Sequence, residues 1–167
     1  GRVKLAVWSA AGDVQQMDAA KFDRLVERLQ ALGITPTGVL AQPPPSLAAA
    51  LKQPGWAGLL AADRDAWQPQ LAYLVARHAN HLDRWQLGTD GTDDFVSPQM
   101  RQVYSTVYRE FAALVQKPDL AMPWPAWYEL DGSAPSTIAL AVPPAVVLPQ
   151  QVPLYLQDLG RDAAGGA

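Results

Sequence analysis

Short apolar runs separated by helical stripes recur along this chain, and that alternation constrains its fold more than any other feature. The run VKLAVW at 3–8 carries β-branched and aromatic residues and stops at the breaker Gly12-Asp13, which predicts a buried strand. Asp18 can then cap a helix whose apolar positions Phe22, Leu25, Val26, Leu29 and Leu32 fall at helical spacing, with Gly33 where a left-handed C-terminal cap belongs. Residues 34–40 read as a second strand, stopped by the prolines at 43–45, because proline cannot donate to a ladder. Strand, helix and strand within about forty residues is the span of one crossover unit.

The same rhythm continues. Residues 47–62, rich in alanine and interrupted by Pro54-Gly55-Trp56, read as a short helix followed by an irregular loop. Trp67, Leu71, Leu74, Val75, His78 and Leu82 mark one face of the next helix, which leads into a third strand at 84–88. Ser97-Pro98 is an N-cap followed by proline at the first helical position. The stripe Met100, Val103, Tyr104, Val107, Phe111 and Leu114 then predicts a helix ending near Lys117-Pro118. Residues 120–130 read as a strand with a middle broken by Pro123 and Pro125, and 136–142 as a more regular strand. Residues 146–159 fit a short helix or an edge strand equally well.

Apolar strands each followed by a helix argue for an α/β fold with a parallel sheet, with 1–160 as one domain and 161–167 as a loose tail. Two windings are open, a doubly wound sheet or a (β/α) barrel. The link after the first strand lacks the glycine spacing that cradles a pyrophosphate, which weakens the first and calls for no nucleotide cofactor. Long, polar, Trp-bearing connections favour the barrel. A full eight-stranded barrel takes about 250 residues and rarely fewer than about 200. At 167 residues only four or five units fit, so the sequence reads as part of a larger barrel protein.

Composition narrows the partners. A formal charge of −3 with no Lys or Arg run excludes a phosphate-neutralising surface, so nucleic acid is not expected. No stretch is long and apolar enough for a membrane span. The absence of Cys removes disulfides, thiol catalysis and Cys-ligated zinc, and fits cytoplasm or periplasm alike. Hydrophobic residues at 49% against 17% charged suggest apolar surface meant for covering, by the remainder of a parent chain or by a second copy.

The segment Trp85-Gln-Leu-Gly-Thr-Asp90 resembles the fourth strand of the retaining (β/α)-barrel glycoside hydrolase clan, where a Trp-x-x-Gly-Asn-Glu pattern ends in the acid/base glutamate. Residues 67–78 look like the family's helix leading into that strand, and residues 22–36 like the helix and third strand before it. The resemblance implies that residues 3–140 correspond to the second through sixth strands. Its partner would be a polysaccharide or oligosaccharide, favouring a periplasmic or extracellular setting, and Asp90 would be the proton donor. The chain departs from the pattern at both catalytic positions, with Thr89 for Asn and Asp90 for Glu. Aspartate is one methylene shorter, and a carboxyl displaced by about 1 Å can lose about a hundredfold in rate. Retaining chemistry also needs a second carboxylate about 5–5.5 Å away, and Glu129 is the only late candidate at the end of an apolar run.

Each candidate has a plainer reading. Asp90, Asp93 and Asp94 with Gly88 and Gly91 form an acidic turn that could face sugar or hold a hard cation, although Asp and Gly favour solvated turns for backbone reasons alone. Trp8, Trp85, Trp124 and Trp127 sit near strand ends, where flat amphipathic rings suit a saccharide, as does Trp56 in a loop; core packing is the ordinary role of each. His78 and His81 read as a half-buried and a helix-end histidine before they read as metal ligands. No G-x-S-x-G elbow is present. Two functions follow: a carbohydrate-active barrel using Asp90, or a non-catalytic barrel-derived module for sugar binding or protein assembly.

Overall fold

A computed structural model describes residues 1–9, 12–13, 19–49, 51–52, 55–128, 137–141, 150–154 and 156–157. The strands are β1 Arg2–Ser9, β2 Gly12–Asp13, β3 Thr35–Leu40, β4 Arg84–Leu87, β5 Asp119–Pro125 and β6 Ile138–Ala141. The helices are α1 Ala19–Ala31, α2 Pro45–Ala48, α3 Gly55–Ala61, α4 Arg64–His78 and α5 Pro98–Leu114. Five strands, β1, β3, β4, β5 and β6, run parallel in their chain order, and β2 adds a two-residue antiparallel hairpin to β1. The expected α/β fold with a parallel sheet is present, and the sheet is open. Its order never reverses. This order fits part of a barrel, which the described strands do not close.

In-register partners of a parallel sheet share a face, so the ladder sorts the side chains. Leu5, Gly38, Trp85 and Leu120 lie in one row, while Lys4, Thr37, Arg84 and Asp119 lie in another, one residue out of phase. The first row faces the helices. Trp85 meets Phe111 of α5 edge-on at 5.4 Å, and Tyr104 of α5 donates its hydroxyl to the Leu120 carbonyl at 2.6 Å. Gly38 is needed in this row, because a Cβ there would lie 2.9 Å from Leu82 Cδ1 and 3.0 Å from Trp85 Cε3. Trp8, opposite Leu40 beyond a register shift in β1, stacks with Trp56 at 6.1 Å within the same core.

The helix termini follow local chemistry. Ser97 Oγ accepts from the Met100 amide at 3.3 Å, with Pro98 opening α5 as expected. At the end of α1, Ile34 N donates to Leu29 O and Gly33 N to Gln30 O, both at 2.9 Å, a Schellman closure with Gly33 at φ 67°. The capping role given to Asp18 lies outside the described residues. Asp63 caps α4 by accepting from Asp65 N at 3.2 Å.

Several expectations are corrected. The span 47–62, read as a short helix followed by an irregular loop, contains a second helix, α3, whose Trp56 and Leu59 are buried. Gly12-Asp13 pairs with β1 where only a break was expected. Leu82 lies beyond the end of α4, tied back by its amide to His78 O at 2.8 Å. On α1, Phe22 and Val26 are buried while Leu25 and Leu32 are exposed, so only part of the stripe meets the sheet. β5 runs through both prolines. The amides of Met122 and of Ala126, just past its end, bond toward β6, and β4 pairs only as far as Ala121, so the donors missing at Pro123 and Pro125 have no ladder to break. Within the segment 146–159, residues 152–154 and 156–157 are helical, while 146–149, 155, 158 and 159 lie outside the described residues. No described helix is long and apolar enough to cross a membrane.

His78 packs edge-on against Phe22 at 5.0 Å, fully buried, with neither ring nitrogen hydrogen-bonded. Burial, then the Arg77 charge and to a lesser degree His81, push its pKa below 6.5, against the weaker pull of Asp23. Below that value the unfolded chain takes up a proton that the folded chain resists. Stability is therefore full above about pH 6.5 and falls as pH drops through the folded value, by up to about 1.4 kcal/mol per pH unit. Urea midpoints of wild type and His78→Leu measured from pH 7.5 to 5 should show this fall in wild type and a flatter profile in the variant; parallel profiles would contradict it.

Candidate functional site

Parallel α/β sheets place their sites beyond the carboxyl ends of the strands, and here the end of β4 is built around a sharp turn. Gly88 follows the strand at φ 82°, with its amide donating to Leu40 O at 2.8 Å. A Cβ at this position would lie 2.6 Å from Phe95 Cε2 and 3.2 Å from Pro123 Cγ. Phe95 belongs to the 3-10 turn Asp94–Val96 and is fully buried, so its ring has nowhere to retreat. The turn brings Asp90 back toward the sheet face that carries Lys4 and Gln86.

There Asp90 Oδ1 accepts from Lys4 Nζ of β1 at 2.5 Å and from Gln86 Nε2 of β4 at 3.0 Å. Gln86 is only 1% exposed, and its Nε2 also donates to Gly88 O at 2.9 Å. Lys4 and Gln86 project from this face because they alternate with the core residues Leu5 and Trp85. Arg84 and Asp119 extend the polar row, with Arg84 Nε 2.8 Å from Asp119 Oδ2. Beside them is a hollow of about 270 Å³ bordered by Lys4, Thr37, Arg84, Gln86 and Asp119.

Partial burial pushes the Asp90 carboxyl up, but the hydrogen bonds from Lys4 and Gln86 and the Lys4 charge outweigh it and hold the group below its ordinary value. A proton donor working near neutrality needs the opposite shift. An ionised carboxylate with half its side-chain surface open to solvent (54%) is suited instead to accepting hydrogen bonds.

The remaining candidates fall in different places. Trp8, Trp85 and Trp124 are each no more than 2% exposed and belong to the hydrophobic core, so packing accounts for them and they offer no platform to a ligand. Trp124 stands on the helix-facing side of β5 with its Nε1 donating to Tyr128 O at 3.1 Å. Trp127, two residues past β5, is 59% exposed and lies 6.3 Å from Tyr128. Asp93 is exposed and precedes the 3-10 turn without capping it by a side-chain hydrogen bond. Glu129 lies outside the described residues. Among the described residues no three His, Cys, Asp or Glu gather as a metal site.

Lys4, Gln86, Arg84 and Asp119 were not singled out from sequence. The signal for Lys4 and Gln86 is a polar residue flanked on both sides by apolar ones, Val3-Lys4-Leu5 and Trp85-Gln86-Leu87. No family model matches the chain, and no curated protein matches it.

Gly88→Ala should destabilise the protein by about 2 kcal/mol or more, combining the left-handed backbone cost of about 1–2 kcal/mol with overpacking of about 1–3 kcal/mol. Chemical denaturation measures it; a loss within the scatter of ordinary surface substitutions would mean that the turn at Gly88 is not held as described.

Proposed function

We propose that this chain is a carbohydrate-binding α/β module with barrel-type winding, in which Asp90 accepts hydrogen bonds from sugar hydroxyls and does not donate a proton. The observation that carries the reading is the ionised Asp90, held by Lys4 and Gln86 at the carboxyl end of β4, on a polar sheet face. Sugar hydroxyls are donors and acceptors at once, and a cluster of carboxylate, amide and ammonium groups offers partners for both. The likeness of the segment at 85–90 to the glycoside hydrolase strand supports the same ligand class. Its departures, Thr89 and Asp90, favour binding over hydrolysis.

Titration calorimetry against a panel of saccharides should find a ligand, and Asp90→Asn should weaken it by about tenfold, the worth of one charge-assisted hydrogen bond. Reducing-sugar release should be indistinguishable between wild type and Asp90→Asn across roughly pH 4 to 8, where carboxylate acid/base pairs operate. Hydrolysis that disappears in Asp90→Asn while binding persists would make the protein an enzyme and overturn the proposal.

A further inference from the structure

The hollow of about 270 Å³ lies toward the amino-terminal ends of the strands, whereas Asp90 follows the carboxyl end of β4 and does not border it. Arg2, Arg84 and Asp119 are the first residues of β1, β4 and β5, and Thr137 directly precedes β6. We infer that the hollow is a second binding site, which takes one small organic acid with a single carboxylate and an apolar body. It is independent of the carbohydrate reading and would stand without it.

Three observations carry the inference. The first is charge. The wall presents three cations, Arg2, Lys4 and Arg84, against Asp119 alone. Asp119 pairs with Arg84, and Asp90 draws on Lys4 from outside the hollow. Arg2 is exposed, and no described residue pairs with it. Three positive groups thus share two carboxylates, and one positive charge is left over. A monoanion offsets it; a dianion such as phosphate overshoots and meets Asp119 with twice the repulsion, and a neutral ligand leaves the excess in place.

The second is the surplus of donors. A guanidinium carries five N–H donors and an ammonium three, more than the contacts with Asp119 and Asp90 use. Thr37 adds a hydroxyl in the row between Lys4 and Arg84. A carboxylate only accepts, at up to about four positions, and its plane matches the fork of an arginine.

The third is the shape of the remainder. Ala121, Ile138 and Ala139 give the hollow an apolar flank on the side of β5 and β6, across from the cations of β1 and β4. At about 270 Å³ it falls just under the ~300–1,000 Å³ of sites for drug-sized ligands, which leaves room for a short chain or one ring beside the carboxylate.

The test uses the full chain, with ligand-detected NMR and calorimetry at low salt on benzoate and butyrate, on the matching neutral amides, and on inorganic phosphate. At least one of the two acids should bind, with its amide about tenfold or more weaker and phosphate weaker than the acid. Arg2→Gln, at an exposed strand start, should weaken the acid severalfold, and Asp119→Asn should tighten it, since it removes the one anion of the wall. Failure of both acids to bind, an amide or phosphate that binds as tightly as the acid, or an affinity that neither substitution moves overturns the inference. Should Asp119→Asn not fold, the Arg2→Gln result decides.

Discussion

The structure depends on a sheet whose two faces differ in kind. Parallel sheets are ordinarily buried on both sides and read as unbroken apolar runs. In this chain the strands alternate instead: Leu5, Gly38, Trp85 and Leu120 point to the helices, and Lys4, Thr37, Arg84 and Asp119 point away. Burial of the largest side chains falls mainly on one side, where Trp8, Trp85 and Phe111 are all but inaccessible, although Val39 and Gln86 on the other are buried as well. The other face keeps charges that would be expensive in a dry barrel core, where bulky branched residues normally fill the layers.

From that asymmetry the site follows. The loop leaving the carboxyl end of β4 folds toward the face opposite to α5. Gly88 supplies the backbone geometry and the clearance from Phe95 and Pro123 that the turn requires. The carboxylate it delivers finds Lys4 and Gln86 already presented by the alternation of β1 and β4. Placement and ionisation of Asp90 are thus consequences of strand phase, and the same phase leaves Gln86 Oε1 without a donor.

Much of this architecture was legible in the sequence and some of it was not, for identifiable reasons. Caps with local chemistry, such as Ser97-Pro98 and the Gly33 closure, declare themselves because their hydrogen bonds span a few residues. The strand at 84–87 was visible from its apolar character, but its tryptophan was weighed for a cleft when the period of two in Arg84-Trp85-Gln86-Leu87 already separates Trp85 from the polar face. β5 was read as broken because Pro123 and Pro125 forbid donation; only the pairing pattern reveals that no neighbour asks for those donors. The partnership of Lys4 with Asp90 spans 86 residues, and no local pattern announces a contact of that range.

The central claim is that Asp90 is an ionised carboxylate clasped by Lys4 on the polar face of the sheet. Carbon-detected NMR of the Asp90 side-chain carboxyl through an acid titration, in wild type and in Lys4→Met, tests it most directly. The account predicts an inflection below the ordinary 3.8 in wild type and a clear upward move in the variant. A carboxyl that titrates at or above its ordinary value, indifferent to the loss of Lys4, would contradict it.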